Sequence, residues 1–290
     1  MAVDLLFLNG SLINEADLDH QIIDFQDRAF HYGDGVFETL RIHNGDIPTW
    51  HFHQQRLRQA QKTLKLPLDN FLTAWPSFVT NHLAEIKQGC AKLVISRGVG
   101  PRGYKIPDQA ELNWWLKITD LPVNSSNLQQ KKYRLTVCEH ILSRQPALAG
   151  LKHLNRLDQV IARSEWQQDA FDEGIMLNLD GHVVAGTMSN IFWLKDGRLF
   201  TPDISQEGID GCVRRWLLQY QVDKNFAFKI EKYANVEQLL SADAVFISNS
   251  LIGIQLVAEI AGQPIASVAH GRVQRLAEEF NRFYLLDKSQ

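Results

Sequence analysis

The sequence predicts a two-domain protein of the α/β (α+β) class, with a smaller mixed N-terminal domain and a larger, β-rich C-terminal domain. Apolar residues recur at helical spacing in the first third of the chain, whereas short apolar runs between turn residues dominate the second half. A polar segment, PVNSSNLQQKK, separates the two and is rich in Ser, Asn and Gln. We therefore place the domains at residues 1–121 and 133–290, joined by a linker at 122–132.

In the N-terminal domain, the Asn-Gly pair at 9–10 lies between two apolar runs and predicts a hairpin. Helical periodicity predicts two helices, at about 51–64 and 68–86, and Pro67 separates them. The runs AKLVISRG and LNWWLKITDL predict strands on either side of the glycine-containing loop VGPRGYKIPD.

The C-terminal domain begins with the predicted strand YRLTVCEH. A helix is predicted from about Arg156, because Asn155 and Asp158 have the spacing of a capping box. Asp-Gly pairs at 180–181 and 196–197 lie between apolar runs and predict the turns of a β-meander. Further elements are predicted beyond the meander: a helix over about 211–220, strands in FAFKIEKY and AVFISNS, and a terminal helix over about 267–286.

Composition excludes several classes of protein. The net charge of −3 over 290 residues makes nucleic acid an unexpected partner, since phosphate backbones require a basic surface. Three cysteines without a pattern predict neither a disulfide framework nor a zinc site. The start of the chain lacks the basic region of a signal peptide, and no apolar run reaches the ~18 residues of a spanning helix. We expect a cytoplasmic protein that acts on a small molecule, with no membrane partner.

Lys152 is the first candidate for chemistry. It lies between Leu151 and Leu154, just before the predicted helix. A lysine desolvated by apolar neighbours can act as a nucleophile and form a Schiff base. The same pattern also suits a surface lysine whose stem lies on apolar residues while its amine reaches water. The local sequence leaves both interpretations open.

Four segments resemble one family, the class IV (fold type IV) pyridoxal-phosphate enzymes, which include branched-chain and D-amino-acid aminotransferases and the aminodeoxychorismate lyases. The lysine segment LKHLNRLDQVIAR resembles the lyase branch most, as does KLVISRGVGPRGY at 92–104. Residues 27–57 and 184–217 resemble two further motifs of the family. The resemblance implies two domains with the cofactor between them, and a homodimer.

The resemblance also implies roles for residues that match its motifs. Lys152 would form the Schiff base with pyridoxal phosphate and would then move protons. Arg56 would bind the cofactor's phosphate with paired donors. The amides of Cys212 and Val213, in GIDGCVR, and the hydroxyl of Ser250 would complete the phosphate site.

Arg156 stands where branched-chain aminotransferases have a tyrosine, and we expect it to stabilise the phenolic oxygen of the cofactor. Two arginines in a glycine-containing loop suit a substrate with two carboxylates. The resemblance places five residues on the substrate side: Tyr32, Phe37, Arg97, Arg102 and Tyr104.

One position departs from the family. Where related enzymes carry T-E-G or V-E-G, this chain has Val184-Ala185-Gly186, so the glutamate that pairs with the pyridine nitrogen is absent. A protonated ring is the better electron sink, so transamination is expected to suffer more than an elimination that creates an aromatic ring. Among neighbouring residues the sequence offers only Asp180, at a predicted turn, and we expect no acid to replace the glutamate.

The sequence therefore predicts an enzyme, a lyase that converts 4-amino-4-deoxychorismate to 4-aminobenzoate and pyruvate in folate biosynthesis. Two alternatives remain: a D-amino-acid or branched-chain aminotransferase, and a weakly active homologue that binds pyridoxal phosphate. No metal is expected, because His51 and His53 lie two residues apart on a predicted helix, where their side chains diverge.

Overall fold

The structure is a computed structural model that describes residues 3–13, 23–121, 132–167, 170–223, 227–266 and 270–285. These residues form two compact units. Residues up to 121 and Leu151–Asn155 form the first unit, and residues 132–150 and 156–285 form the second. The predicted linker lies outside the described residues except for Lys132.

The first unit combines one sheet with three described helices. Its elements are β1 (Asp4–Leu8), β2 (Ser11–Ile13), α1 (Arg28–Tyr32), β3 (Gly35–His43), α2 (Trp50–Leu64), α3 (Asp69–His82), β4 (Gln88–Ser96) and β5 (Asn113–Thr119). The strands pair antiparallel in the order β2–β1–β5–β4–β3. The predicted hairpin is confirmed, and Asn9 and Gly10 adopt the positive φ angles of its turn.

Strand β3 was not among the predicted elements. Its sequence GVFETLRIH carries Glu38 and Arg41 at buried positions, so it lacks the alternation of apolar and polar residues that marks a half-buried strand. The two predicted helices are confirmed as α2 and α3, although α3 ends at His82, four residues before the predicted 86. Strand β3 forms one end of the five-stranded order, and its outer edge bears the bridge from Val36 to His153.

The second unit is built on a larger mixed sheet. Its elements are β6 (Tyr133–Ile141), α4 (Leu157–Arg163), β7 (Glu173–Leu177), β8 (Val183–Gly186), β9 (Asn190–Lys195), β10 (Arg198–Pro202), α5 (Cys212–Asp223), β11 (Phe228–Glu231), α6 (Val236–Leu240), β12 (Ala244–Asn249), β13 (Gly253–Ile260), β14 (Gln263–Pro264) and α7 (His270–Leu285). The order is β11–β10–β9–β12–β13–β6–β7–β8, and β14 pairs with β13.

The predicted meander is wrong in one respect. Strands β7 and β8 pair antiparallel, as do β9 and β10, so both Asp-Gly turns join neighbouring strands. However, β8 and β9 stand far apart in the strand order, and residues 187–189 form no strand between them. The sequence Thr-Met-Ser, with its two hydroxyl side chains, breaks the apolar run there. Strand β6 pairs in parallel with both of its neighbours, β7 and β13.

Large aliphatic and aromatic residues fill the core beside this sheet. The cluster includes Leu135, Ile175, Ile191, Val245 and Val257, each at most 1% exposed. Helix α7 packs against β13 and β12, which accounts for its amphipathic sequence. None of the described helices is long and apolar enough to cross a membrane.

Candidate active site

The backbone around Lys152 lies along the outer edge of β3. Val36 and His153 form an antiparallel bridge. The N–H of Phe37 donates to the carbonyl of Lys152 at 2.9 Å, and the N–H of Leu154 donates to the carbonyl of Gly35 at 3.1 Å. The lysine segment is thus joined to the edge of the first unit's sheet by an isolated bridge, whereas the sequence placed it in the C-terminal domain.

The side chain of Lys152 lies over an aromatic ring. Its Nζ is 4.3 Å from the centroid of Phe37, and Nζ of Lys92 is 5.8 Å from the same ring. The face of an aromatic ring attracts a cation and also excludes water from one side of it. Phe37 and Lys152, both predicted site residues, are therefore neighbours in the structure. Lys92 is exposed, whereas Lys152 is partly buried.

The predicted capping box at Asn155 and Asp158 is wrong. Helix α4 begins at Leu157, with Arg156 as N-cap and no side-chain cap. The Nδ2 of Asn155 instead donates to the carbonyl of Gly33 at 3.3 Å, and Asp158 Oδ1 lies 2.9 Å from Nε2 of His140. Tertiary partners have displaced the local ones, because each side chain can hydrogen-bond a group that the sequence alone does not bring near.

Arg56 belongs to a buried ionic cluster. Its Nε donates to Glu38 Oε1 at 2.9 Å, its Nη2 donates to Glu38 Oε2, and Nδ1 of His53 lies 2.7 Å from Glu38 Oε2. Burial raises the pKa of Glu38, but the charges of Arg56 and His53 and their hydrogen bonds outweigh it and lower the pKa to about 2. The carboxylate therefore orients the guanidinium predicted to bind phosphate. Sequence reasoning missed Glu38 because β3 was not predicted.

The four other substrate-side candidates differ in exposure. Arg97 is 2% exposed, and its guanidinium donates to Asp34 and to the carbonyls of Leu64 and Lys65. Arg102 is exposed, as is Tyr104, whose ring lies 5.4 Å from that of Tyr32. The guanidinium of Arg97 is therefore hydrogen-bonded within the protein, whereas the side chain of Arg102 is exposed to solvent.

The glycine-rich turn before α5 occurs in the second unit. Gly208 has a φ of +91°, and Ile209 pairs with Gly150 in a bridge. Since α5 begins at Cys212, the amides of Cys212 and Val213 lie in its first turn, where N–H groups lack intrahelical acceptors. This arrangement suits an anion, as the sequence predicts.

Ser250 and Arg156 also lie in the second unit. Ser250 follows β12, a strand that contacts α5, and Oδ1 of Asn249 accepts from the amides of Leu251 and Ile252 to hold this turn. Burial lowers the pKa of Arg156 to about 10, although the charge of Asp158 acts in the opposite direction. Arg156 is therefore a partly desolvated cation rather than an exposed one.

Ala185 lies on β8 opposite Met176. It packs in an apolar cluster that includes Cys138, Leu142 and Trp166. Residue 185 therefore packs among apolar side chains of the second unit.

A buried acid that sequence reasoning did not consider lies close by. Glu173 accepts five hydrogen bonds, from the amides of Gly174, Thr187 and Met188 and from the hydroxyls of Thr187 and Ser189. A Cβ at Gly186 would lie 3.0 Å from its carboxyl carbon. These bonds occupy both oxygens of Glu173 and fold the turn that follows β8. Each oxygen of Glu173 thus already accepts at least two hydrogen bonds from within the protein.

Comparison with known proteins identifies the family. Residues 35–260 match the model of the family described as amino-transferase class IV. The chain belongs to the class IV aminotransferase family. The predicted family is thus confirmed, and with it the prediction of an enzyme.

Two similar proteins are lyases. The chain is 34% identical over 235 residues to an aminodeoxychorismate lyase of Vibrio harveyi, covering 81% of this chain and 86% of that protein. The crystal structure of a 4-amino-4-deoxychorismate lyase from Pseudomonas aeruginosa matches with a TM-score of 0.84 and 34% identity, over 96% of this chain and 98% of the other. The predicted fold is confirmed by this likeness.

A third relative is named for a different activity. A D-alanine aminotransferase of Staphylococcus epidermidis is 27% identical over 284 residues, covering 96% of this chain and 97% of that protein. The family therefore includes both kinds of chemistry among proteins similar to this one.

Proposed function

We propose that this protein is a pyridoxal-phosphate-dependent lyase that converts 4-amino-4-deoxychorismate to 4-aminobenzoate and pyruvate. The observation that carries the proposal is its 34% identity to two aminodeoxychorismate lyases over most of the chain. The lysine segment, which resembles the lyase branch, supports the same reaction.

The residues present fit this cofactor. Lys152 would attach it, and the amides of Cys212 and Val213 would bind its phosphate at the positive end of α5. A Cβ at Gly211 would lie 2.0 Å from Oδ1 of Asn190, so the turn before the helix has no room for a side chain. A phosphate can approach backbone amides closely only where side chains are absent.

Three further residues are proposed to hold the cofactor. Arg56, oriented by Glu38, would add paired donors to the phosphate, and Ser250 would add a hydroxyl. Arg156 would stabilise the negative charge of the phenolic oxygen, a role that suits a partly buried guanidinium. When bound, pyridoxal phosphate supplies an electron-withdrawing ring that takes up negative charge from a substrate carbon.

Lys152 is the residue proposed to move protons. Its amine would take the proton from the ring carbon of the substrate that bears the amino group. Loss of this proton and cleavage of the carbon–oxygen bond to the enolpyruvyl group make the ring aromatic. The departing three-carbon group takes up a proton and is released as pyruvate.

Ala185 favours this elimination over transamination. An alanine cannot hydrogen-bond the pyridine nitrogen, and the oxygens of Glu173 are occupied by the 187–189 turn. Aromatisation of the product supplies driving force that amino transfer lacks. The lyase reaction therefore depends less on the missing acid.

The proposed substrate side consists of Phe37, Tyr32, Tyr104 and Arg102. Phe37 lies beside the lysine amine, and Arg102 supplies an exposed cation for a carboxylate. Arg97 supports this region from within, because its donors bind Asp34 and the end of α2. We also propose that the enzyme is cytoplasmic and that it forms a homodimer. The mass of the purified protein, measured by light scattering, would test the dimer.

A second candidate function is a D-amino-acid aminotransferase. The D-alanine aminotransferase of S. epidermidis matches almost the full length of the chain, at 27% identity. Rapid amino transfer to a keto acid, without pyruvate release from aminodeoxychorismate, would favour it. Binding of pyridoxal phosphate with neither activity would instead indicate a weakly active homologue.

The decisive experiment uses purified protein loaded with pyridoxal phosphate. We expect 4-aminobenzoate fluorescence to appear with aminodeoxychorismate, with one pyruvate released per molecule formed. A panel of D- and branched-chain amino acids with keto acids, run in parallel, measures amino transfer. Amino transfer faster than 4-aminobenzoate formation would contradict the lyase proposal.

Lys152→Ala tests the residue assignment. We expect it to lower kcat by at least about 10³-fold, since both cofactor attachment and proton transfer are lost. Lys92→Ala is the matched control, because Lys92 lies near the same Phe37 ring but is exposed. Borohydride reduction followed by peptide mapping should find the cofactor on Lys152 alone. Cofactor attached to another lysine would reject the assignment.

A further inference from the structure

The first residues of β3 are the surface on which the lysine segment is built. Gly35 and Phe37 hydrogen-bond the backbone on either side of His153, and the carbonyl of Gly33 accepts from the side chain of Asn155. The lysine amine rests on the ring of Phe37. Any displacement of residues 33–37 would therefore move Lys152.

The approach of the two segments is close. A Cβ at Gly33 would lie 2.5 Å from Oδ1 of Asn155, and a Cβ at Gly35 would lie 2.9 Å from Cδ1 of Leu154. A side chain at Gly35 would also meet the carbonyl of Ile95 at 2.2 Å, and Gly33 has a φ of +62°, so both positions favour glycine. The two glycines also leave residues 33–35 without side-chain packing of their own, apart from Asp34 between them.

Asp34 anchors this stretch through two buried arginines. Its Oδ2 accepts from Nε of Arg28 at 2.8 Å and from Nε of Arg97 at 2.8 Å, and its Oδ1 accepts from Nη2 of Arg97 at 3.0 Å. Arg28 is 3% and Arg97 2% exposed. The backbone adds two bonds, from the N–H of Arg97 to the carbonyl of Asp34 and from the N–H of Asp34 to the carbonyl of Arg28.

The two arginines also hydrogen-bond two other parts of the unit. Arg97 donates to the carbonyls of Leu64 and Lys65 at the end of α2, where helix carbonyls lack intrahelical donors. Arg28 donates to the carbonyl of Gly103 in the loop that carries Arg102. Asp34 is the common acceptor of these two cations, so it ties the edge of β3 to a helix end and to that loop.

The electrostatics favour the ionised form of Asp34. Burial raises its pKa, but hydrogen bonds from Arg97 and Arg28 and their charges outweigh it, so that the pKa lies below its usual value. Without this carboxylate, two buried guanidinium groups would face each other with no counter-charge. The repulsion between the two guanidinium groups and the cost of their desolvation would displace the edge of β3.

We infer that Asp34 is a positioning residue for Lys152: it holds the Gly33–Phe37 edge, and that edge holds the lysine amine. This inference rests on the proposed attachment of the cofactor to Lys152. The side chain of Asp34 accepts from Arg28 and Arg97, so its effect on the lysine amine is transmitted through the backbone. A displacement of about 1 Å at a reacting group can lower a rate about 10²-fold.

Asp34→Asn tests the inference, because the amide has the shape of the carboxylate but neither its charge nor its second acceptor oxygen. We expect kcat to fall about 10- to 100-fold with KM little changed, because proton transfer is misplaced while substrate contacts remain. The absorbance bands of the bound cofactor should also shift. Borohydride should trap the cofactor on Lys152 more slowly than in the wild type.

A readout on the protein without cofactor is available. Hydrogen exchange measured by mass spectrometry should show faster exchange in peptides that contain the amides of Phe37 and Leu154. These two amides bond across the edge of β3. Peptides from α3 should exchange as in the wild type.

Asp69→Asn is the matched control. Asp69, in the same unit, also accepts from an arginine, Arg58, and from Gln61, but its side chain is 71% exposed. We expect it to leave kcat, cofactor absorbance and exchange unchanged within about twofold, as for a surface ion pair. Asp34→Glu, which keeps the charge, should restore part of the kcat that Asp34→Asn loses. If Asp34→Asn does not fold, the comparison of Asp34→Glu with the wild type decides.

The outcomes separate this inference from the proposed function. If Lys152→Ala still forms a reducible adduct with pyridoxal phosphate, the assignment of Lys152 fails. If the adduct requires Lys152, but the Asp34 variants lose only thermal stability and keep wild-type kcat, absorbance and exchange, Asp34 is merely structural and the inference is overturned.

Discussion

Glu38 in the first unit and Glu173 in the second are both almost fully buried, yet their partners differ in charge. Glu38 pairs with Arg56 and His53, whereas Glu173 accepts only from neutral amides and hydroxyls. Either arrangement satisfies the rule that a buried carboxylate must be fully hydrogen-bonded. The first orients a cation, and the second folds a turn.

The difference determines what each carboxylate contributes to the site. Glu38 holds Arg56 in one orientation, and therefore acts on the residue proposed to bind phosphate. Glu173 shapes the three residues after β8 and has no oxygen left for a ligand. Two acids of the same burial thus orient a cation in one unit and a turn of the chain in the other.

Glu38→Gln should have the largest effect on stability. It leaves the Arg56 guanidinium buried without a counter-charge, which typically costs about 3–5 kcal/mol. Urea unfolding at pH 7 measures the loss. Asp69→Asn, which breaks an exposed ion pair, is the control and should cost less than about 1 kcal/mol. A loss below about 1 kcal/mol for Glu38→Gln would show that the buried charge is solvated in another way.

The same variant should remove a pH dependence. The pKa of Glu38 is lowered from 4.5 to about 2 in the folded protein, so its stabilisation is fully present above about pH 4.5 and is lost as the pH falls toward 2. A shift of this size corresponds to roughly 3 kcal/mol. The difference in unfolding free energy between wild type and Glu38→Gln should therefore be smaller at pH 3 than at pH 5.

Glu173→Gln should have a smaller effect, of about 2–3 kcal/mol, because the amide group can accept at one atom only and presents a donor to other donors. The amides of Thr187 and Met188 should lose protection in hydrogen exchange, whereas those of Phe37 and Leu154 should keep it. No charge is left unpaired in Glu173→Gln. Added salt should therefore change its loss of unfolding free energy less than it changes the loss in Glu38→Gln. A salt response equal to that of Glu38→Gln would break the comparison.

Ala185→Glu extends the comparison to a carboxylate without partners. Its new side chain would enter the apolar cluster of Met176 and Trp166, and we expect a loss of about 1–2 kcal/mol without cofactor. Bound pyridoxal phosphate should reduce this loss of unfolding free energy, since the new acid would pair with the pyridine nitrogen. We also expect the cofactor's absorption to change and side transaminase activity to rise.

Ala185→Gln is the control, because it has the same length and no charge. If Ala185→Glu and Ala185→Gln give the same cofactor spectrum and the same ratio of amino transfer to 4-aminobenzoate formation, position 185 does not address the cofactor ring.

Local patterns in the sequence predicted most elements well. Asn9-Gly10 requires positive φ angles, and the 3.6-residue period of α2 reflects a single buried face, so both can be recognised without knowing the fold. Strand β3 escaped prediction because its buried Glu38 and Arg41 are polar. Burial of such residues is possible only with distant partners, such as Arg56 for Glu38. The supposed cap at Asn155 failed because its side chain instead donates to the carbonyl of Gly33, a residue distant in the sequence.

The sequence by itself determined the family, the attachment candidate Lys152, the glycine-rich turn before α5 and the absence of an acid at position 185. All of these depend on residue identity at fixed spacing. Only the tertiary structure decided that Lys152 is held on the edge of β3 and that Asp34 and Glu38 each orient buried arginines. Such contacts join residues tens of positions apart, and a chain acquires them only by packing, where a buried charge must find its partner.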